Sequence, residues 1–217
     1  MSTETETDDA IQNEFSGEIR DTQTDAFTIS GQEPIETVED IRTQLIAGGV
    51  LTCDPADGIT TPSLESMERL YTEALIYLVD DEPELIEIYR GILKPYQKIR
   101  LFRDGKEVID TMFRTGELVE VPHLIISDIG MPIMDGICLF KEILKLDLRV
   151  RPGFMALSGT LSDGDRRFFA SSGAASFPKP ITLDVFSCAV QSLLLKHPHF
   201  HVSTAKEDIG HPNNGSQ

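Results

Sequence analysis

Apolar residues along this chain fall into two alternating patterns. Short solid runs occur at 74–79, 99–102, 123–127, 154–157 and 174–177. Between them, apolar residues recur three or four positions apart, which places them on one face of a helix. Leu85, Ile88, Tyr89 and Ile92 make such a face after Pro83. Val108, Ile109, Met112 and Phe113 do so within 106–114, and Ile137, Phe140 and Leu144 within 136–146. A short helix is predicted over 165–172, closed by Gly173, and a last one over 181–196 with Phe186, Ala189, Val190 and Leu193 inward. Solid runs predict strands buried on both faces. Their alternation with helices predicts an α/β fold with a doubly wound, five-stranded parallel sheet. Ligands of such sheets bind outside the carboxyl ends of the strands, near the point where strand order reverses.

The first third of the chain reads differently. Residues 1–34 hold only eight apolar residues. That is too few to offset an ordering cost of roughly 1–2 kcal/mol per residue, so disorder is predicted. Val38, Ile41, Leu45 and Ile46 then share one helical face, ending at Gly48-Gly49. Residues 54–62 read as a linker. A second short helix is predicted from Ser63, carrying Leu64, Met67, Leu70 and Tyr71. Helices this short are marginal alone and must dock or stay mobile. The expected organisation is an acidic, largely disordered extension over 1–73, a domain over 74–196 and a tail over 197–217.

Charge sharpens that boundary. The 217 residues carry a net charge of −17, and residues 1–73 hold 17 acidic against 3 basic residues, a net of −14. Such a polyanion repels nucleic acid and anionic membranes, so neither is expected as a partner. No apolar run approaches the roughly 18 residues that span a bilayer, and the N-terminus lacks the apolar core of a secretory signal. Cys53, Cys138 and Cys188 are odd in number and far apart, which fits a reducing cytoplasm.

The chemistry gathers at the predicted strand ends. The first strand runs into Asp80-Asp81-Glu82, the third ends in Asp128, the fourth in Ser158-Gly159, and the fifth is followed by Lys179-Pro180. Carboxylates brought this close repel by roughly 4 kcal/mol per pair at 4 Å and an effective dielectric of 20. A cation relieves that repulsion, and hard oxygens suit Mg²⁺, which takes one or two carboxylates plus phosphate and water. A lysine binds the anion, a hydroxyl donates to it, and an aspartate can be the nucleophile of phosphoryl transfer. Together these groups predict a phosphoryl-accepting site.

Four segments in this order carry a family resemblance: Leu78-Val79-Asp80-Asp81-Glu82, Ser127-Asp128-Ile129-Gly130-Met131-Pro132-Ile133-Met134-Asp135-Gly136, Ser158-Gly159 and Lys179-Pro180. Residues 74–196 resemble the receiver domain of bacterial two-component response regulators. The resemblance implies a flavodoxin-like receiver fold. Asp128 then matches the phosphorylated aspartate, Asp81 the direct Mg²⁺ ligand, and Asp80 its water-mediated partner. Gly130 matches the residue whose carbonyl completes the metal ligands. Ser158 and Lys179 match the hydroxyl and ammonium that bind the phosphoryl group, and Pro180 the proline that follows in a cis bond.

One spacing departs from the family. Asp128 to Ser158 is 30 positions, as the family has it, but Gly173 to Lys179 is 6, one short of the usual pattern. The aromatic switch position of the fifth strand is therefore ambiguous. Counting back from Lys179 gives Ser176, and counting forward from Gly173 gives Phe177, the candidate aromatic. Other residues read as structural: Asp135 as a helix N-terminal carboxylate, Cys138 and Cys188 as small core residues, Phe168 and Phe169 as packing, and His197, His199 and His201 as a polar tail rather than a metal site.

The resemblance implies a stand-alone response regulator that takes a phosphoryl group from a histidine kinase or histidine phosphotransfer protein, with Mg²⁺ and without small-molecule turnover. Only 21 residues follow Lys196, so output is expected by contact with a downstream protein or through the N-terminal extension. The alternative is a receiver-like interaction module that works unphosphorylated. A dehalogenase-type phosphatase would need a D-x-D motif, which neither acidic strand end has.

Overall fold

The solid apolar runs lie side by side as strands of one sheet. A computed structural model describes residues 38–50 and 63–200. In chain order the elements are α1 (Val38–Ala47), α2 (Leu64–Glu73), β1 (Leu75–Val79), α3 (Pro83–Ile92), β2 (Lys98–Phe102) and α4 (Gly105–Met112). A small hairpin follows, β3 (Phe113–Arg114) and β4 (Glu117–Leu118). Then come β5 (Leu124–Asp128), α5 (Gly136–Lys145), β6 (Gly153–Ser158), α6 (Asp163–Ser171), β7 (Ala175–Pro178) and α7 (Leu183–Lys196). The main sheet is parallel throughout, in the order β2-β1-β5-β6-β7. Strand order reverses between β1 and β5, so the ends of those strands form the crevice where such sheets hold ligands.

Alternation along the strands sends side chains to two separate cores. Ile76, Leu78, Leu124, Ile126, Met155, Leu157, Ala175 and Phe177 face one side, under α1, α2, α3 and α7. Tyr77, Val79, Ile125, Phe154 and Ala156 face the other, under α4, α5 and α6. Helix starts are set by side chains that accept otherwise unpaired backbone N–H groups. Asp104 caps α4 by accepting from Lys106 and Glu107, Asp135 caps α5 by accepting from Cys138, and Ser162 with Asp165 forms a capping box on α6. Asp135 is thus a helix cap, as its position suggested.

The two short N-terminal helices are docked on the sheet domain. Leu45 and Leu70 are fully buried in the same core as Phe186 and Leu194 of α7. That burial supplies what a ten-residue helix lacks alone. Leu64, expected on the buried face of α2, is 91% exposed, because it is the first residue of the helix and lies beyond the docked turn. The disorder expected over 1–34 and the linker over 54–62 fall outside the described residues.

Three further expectations are corrected. The helix expected to Arg114 stops at Met112, and Phe113 and Arg114 pair with Leu118 and Glu117 across a two-residue turn. Thr115 and Gly116 both have positive φ, the geometry that matches the twist of a tight hairpin. On α5 the buried side chains are Leu139, Phe140 and Ile143, a face rotated from the expected one. Cys138 is exposed rather than in the core, since it sits in the first turn of α5 on the solvent side.

Candidate functional site

Asp80, Asp128 and Lys179 converge at the carboxyl ends of the strands. The Lys179 Nζ lies 2.8 Å from Asp80 Oδ2 and 2.5 Å from Asp128 Oδ1. All three are largely withdrawn from solvent, Asp80 to 1% exposure. Asp80 leaves the end of β1, and its Oδ1 accepts from the Glu82 N–H at 3.0 Å. Asp128 ends β5, and its Oδ2 accepts from the Gly130 N–H at 2.5 Å. Each Asp128 oxygen is therefore held by a different donor. Asp81, the residue after Asp80, is exposed.

The β5–α5 loop is packed against the Asp128 backbone. A Cβ on Gly136 would lie 2.2 Å from the Asp128 carbonyl oxygen, so only glycine fits there. The Gly136 N–H donates to the Ile129 carbonyl, and the Ile129 N–H to Leu157 of β6. Ser127 Oγ donates to the Asp128 carbonyl. Ile133 in this loop has φ of 62° and is 84% exposed. A β-branched residue in the left-handed region is strained, and such outliers gather at functional loops. Nothing in the hydrophobic pattern marked it.

On the far side of Asp128, Ser158 ends β6 and is buried. Its Oγ accepts from the Thr160 N–H, which leaves its own O–H free for an incoming oxygen. Its carbonyl accepts from the Lys179 N–H at 2.7 Å. The Lys179–Pro180 peptide is cis. Tyr89 of α3, read in the sequence only as helix packing, lies close enough to feel the charges of Lys179, Asp80 and Asp128. Burial raises its hydroxyl to about 12, so it stays neutral.

Electrostatics leave the site short of positive charge. Burial pushes the Asp80 carboxyl up, against the pull of Lys179. Burial also opposes charge on Lys179, but the hydrogen bonds to Asp128 and Asp80 outweigh it and raise the ammonium pKa. One ammonium thus faces two carboxylates. The donor set is hard oxygen, which fits Mg²⁺. Among the described residues no three acidic, histidine or cysteine side chains are gathered to hold a metal by themselves. A cation that keeps its waters and takes one or two carboxylates does not need such a cluster.

The register of β7 resolves the ambiguous aromatic position. Ser176 pairs with Ala156, Phe177 with Leu157, and Pro178 with Ser158. Phe177 packs in the core with Leu45 and Phe186, on the face opposite the one that Ala156 and Ser158 share by alternation. It cannot follow the Ser158 hydroxyl, and the assignment of Phe177 as an aromatic switch is withdrawn. The residue on the Ser158 face is Ser176, which has no ring to move.

The sequence model for the response regulator receiver domain matches residues 76–191, more than half of the chain. The chain belongs to the response regulator receiver family. Membership supports a role as a response regulator in two-component signalling. An uncharacterized 14.6 kDa protein in the sodA1 3′ region of Leptolyngbya boryana is 29% identical over 108 residues, covering 49% of this chain and 79% of that protein. Among solved structures, the non-phosphorylated HemR receiver domain of Leptospira biflexa is 23% identical, covers 56% of this chain and 94% of its own, and has a TM-score of 0.47. The chemotaxis response regulator CheY4 of Vibrio cholerae is 20% identical, with coverage of 55% and 98% and a TM-score of 0.47.

The opposite end of the receiver carries a histidine cluster. His123 lies 5.1 Å from His197 and 4.8 Å from His199, ring to ring, and Phe200 packs on all three. His199 Nε2 sits 2.9 Å from Glu73 of α2. His197 is buried here rather than lying in a polar tail; His201 falls outside the described residues. No helix among the described residues is long and apolar enough to cross a membrane.

Proposed function

We propose that this receiver is a cytoplasmic phosphoacceptor that takes a phosphoryl group on Asp128 from the phosphohistidine of a kinase or phosphotransfer protein. The observation that carries the reading is the Lys179 ammonium held between Asp80 and Asp128, with the second Asp128 oxygen fixed by the Gly130 N–H. A carboxylate oxygen of Asp128 attacks phosphorus. The bond from phosphorus to the donor's ring nitrogen breaks, the imidazole leaves, and an acyl phosphate remains on Asp128. Lys179 follows the negative charge onto a phosphoryl oxygen, and the Ser158 O–H donates to another. When bound, Mg²⁺ would be held by Asp81, Asp128 and the Gly130 carbonyl, with Asp80 reached through a water, and would supply neutralising charge. The new group brings a charge of about −1.5 to −2. The chain turns over no small molecule and signals by protein contact.

Intact mass of the full chain with acetyl phosphate and Mg²⁺ tests this. One phosphoryl group adds about 80 Da to the wild type and nothing to Asp128→Asn. An adduct that persists on Asp128→Asn overturns the assignment. Absence of any adduct, with acetyl phosphate and with phosphorylated phosphotransfer domains alike, favours the phosphorylation-independent module.

A further inference from the structure

The edge of the sheet next to the site is occupied by the chain's own N-terminal segment. β7 is an edge strand, and an edge strand presents unpaired N–H groups that invite another strand or chain. Here the Ser176 N–H donates to the Gly48 carbonyl at 2.9 Å, just past the end of α1. Lys196 of α7 donates through Nζ to the Val50 carbonyl. Leu45 and Val50 are fully buried, so α1 and the residues after it lie over the β7 edge and α7 as a strap. The fit is close at one point. A Cβ on Gly48 would come within 2.2 Å of the Phe177 ring, and Phe177 is itself buried.

The strap and the site share one short strand. Ser176 is held by the strap; three residues on, Lys179 is held by Asp80 and Asp128. Between them Pro178 pairs with Ser158, whose carbonyl accepts from Lys179. At about 3.3 Å per residue the two anchors are roughly 10 Å apart along β7. A phosphoryl group on Asp128 draws on Lys179 and Ser158 at one end of that strand. The Gly48–Phe177 contact, too close to admit a side chain at position 48, lies toward the other end.

We propose that residues 38–50 are a regulatory strap over the β7 edge, and that phosphorylation of Asp128 releases it to expose that edge. The proposal rests on the phosphoacceptor reading above. The coupling is reciprocal: a strap that docks better on the unphosphorylated receiver must itself disfavour the phosphorylated one.

Amide hydrogen exchange on the full chain tests this, because α1 is too short to stay protected once undocked. Exchange of residues 41–50 is followed with and without acetyl phosphate and Mg²⁺, and intact mass of the same samples gives the extent of phosphorylation. The expected result is at least fivefold faster exchange of 41–50 in the phosphorylated wild type and no change in Asp128→Asn. Gly48→Val, which cannot seat against Phe177, is expected to exchange fast in this segment without any donor and to gain no more on phosphorylation. A fully phosphorylated wild type with unchanged protection of 41–50 overturns the strap and leaves the phosphoacceptor reading standing. A chain that gains no adduct from acetyl phosphate or from phosphorylated phosphotransfer domains overturns both.

Discussion

Lys179 and Asp128 belong to strand ends that are not neighbours, since β6 lies between β5 and β7, yet their charged atoms stand 2.5 Å apart. The lysine side chain spans that gap and continues to Asp80 beyond β5. Lys179→Met strands two carboxylates beside each other. It is expected to cost about 1–3 kcal/mol, less than a fully buried pair because the site opens to solvent on one side. Thermal unfolding should show the loss, and Mg²⁺ should restore part of it. Phosphoryl acceptance should slow by at least tenfold.

Gly136 is the point where the loop passes closest to the Asp128 backbone. Gly136→Ala must push that loop away from β5. Forced overpacking of this kind costs about 1–3 kcal/mol. Denaturant unfolding should register the loss, and the rate of adduct formation should fall because Asp128 moves with its carbonyl.

Ile133 invites the opposite outcome. Its left-handed backbone costs about 1–2 kcal/mol in a residue with a branched Cβ. It is exposed, so little packing is lost on replacement. Ile133→Asn should raise the unfolding midpoint, by about 1 kcal/mol in stability. A neutral or destabilising result in urea titration would show that the strain is offset elsewhere in the loop.

His123 makes stability fall on mild acidification. Its Nδ1 accepts from the Leu75 N–H at 2.9 Å, so the neutral ring must carry its proton on Nε2. Burial first, then His197 and His199, hold its pKa down to about 4 from an ordinary 6.5. Burial likewise lowers His197. The unfolded chain therefore binds more protons than the folded one between these values. Stability is complete above about 6.5 and is lost as pH drops toward 4. Melting temperatures across that window should fall, and His123→Gln should show a shallower decline from a lower starting point.

Much of the candidate site was legible in the chain. Asp80, Asp128, Ser158 and Lys179 each follow a solid apolar run, and a parallel sheet with short connections brings such ends to one crevice. The hairpin after α4 was missed although Thr115-Gly116 between Phe113-Arg114 and Glu117-Leu118 is a turn signal; the strands are only two residues long and the helical spacing of Phe113 overrode them. The face of α5 was misjudged because Ile137, Leu139, Phe140, Ile143 and Leu144 are all apolar, and periodicity alone does not choose among them.

By itself the sequence determined the five-stranded α/β order, the family and the set of residues at the strand ends, because these depend on local pattern and on residue types at fixed offsets. Tertiary structure alone decided three things. It put Phe177 in the core and Ser176 on the Ser158 face, because a one-residue change of register turns every side chain of a strand over. It placed α1 on the β7 edge, because docking of a marginal helix depends on surfaces contributed from distant parts of the chain. It also joined Lys179 to Asp80 and Asp128, because the reach of a lysine side chain across neighbouring strands is fixed by how the sheet is assembled.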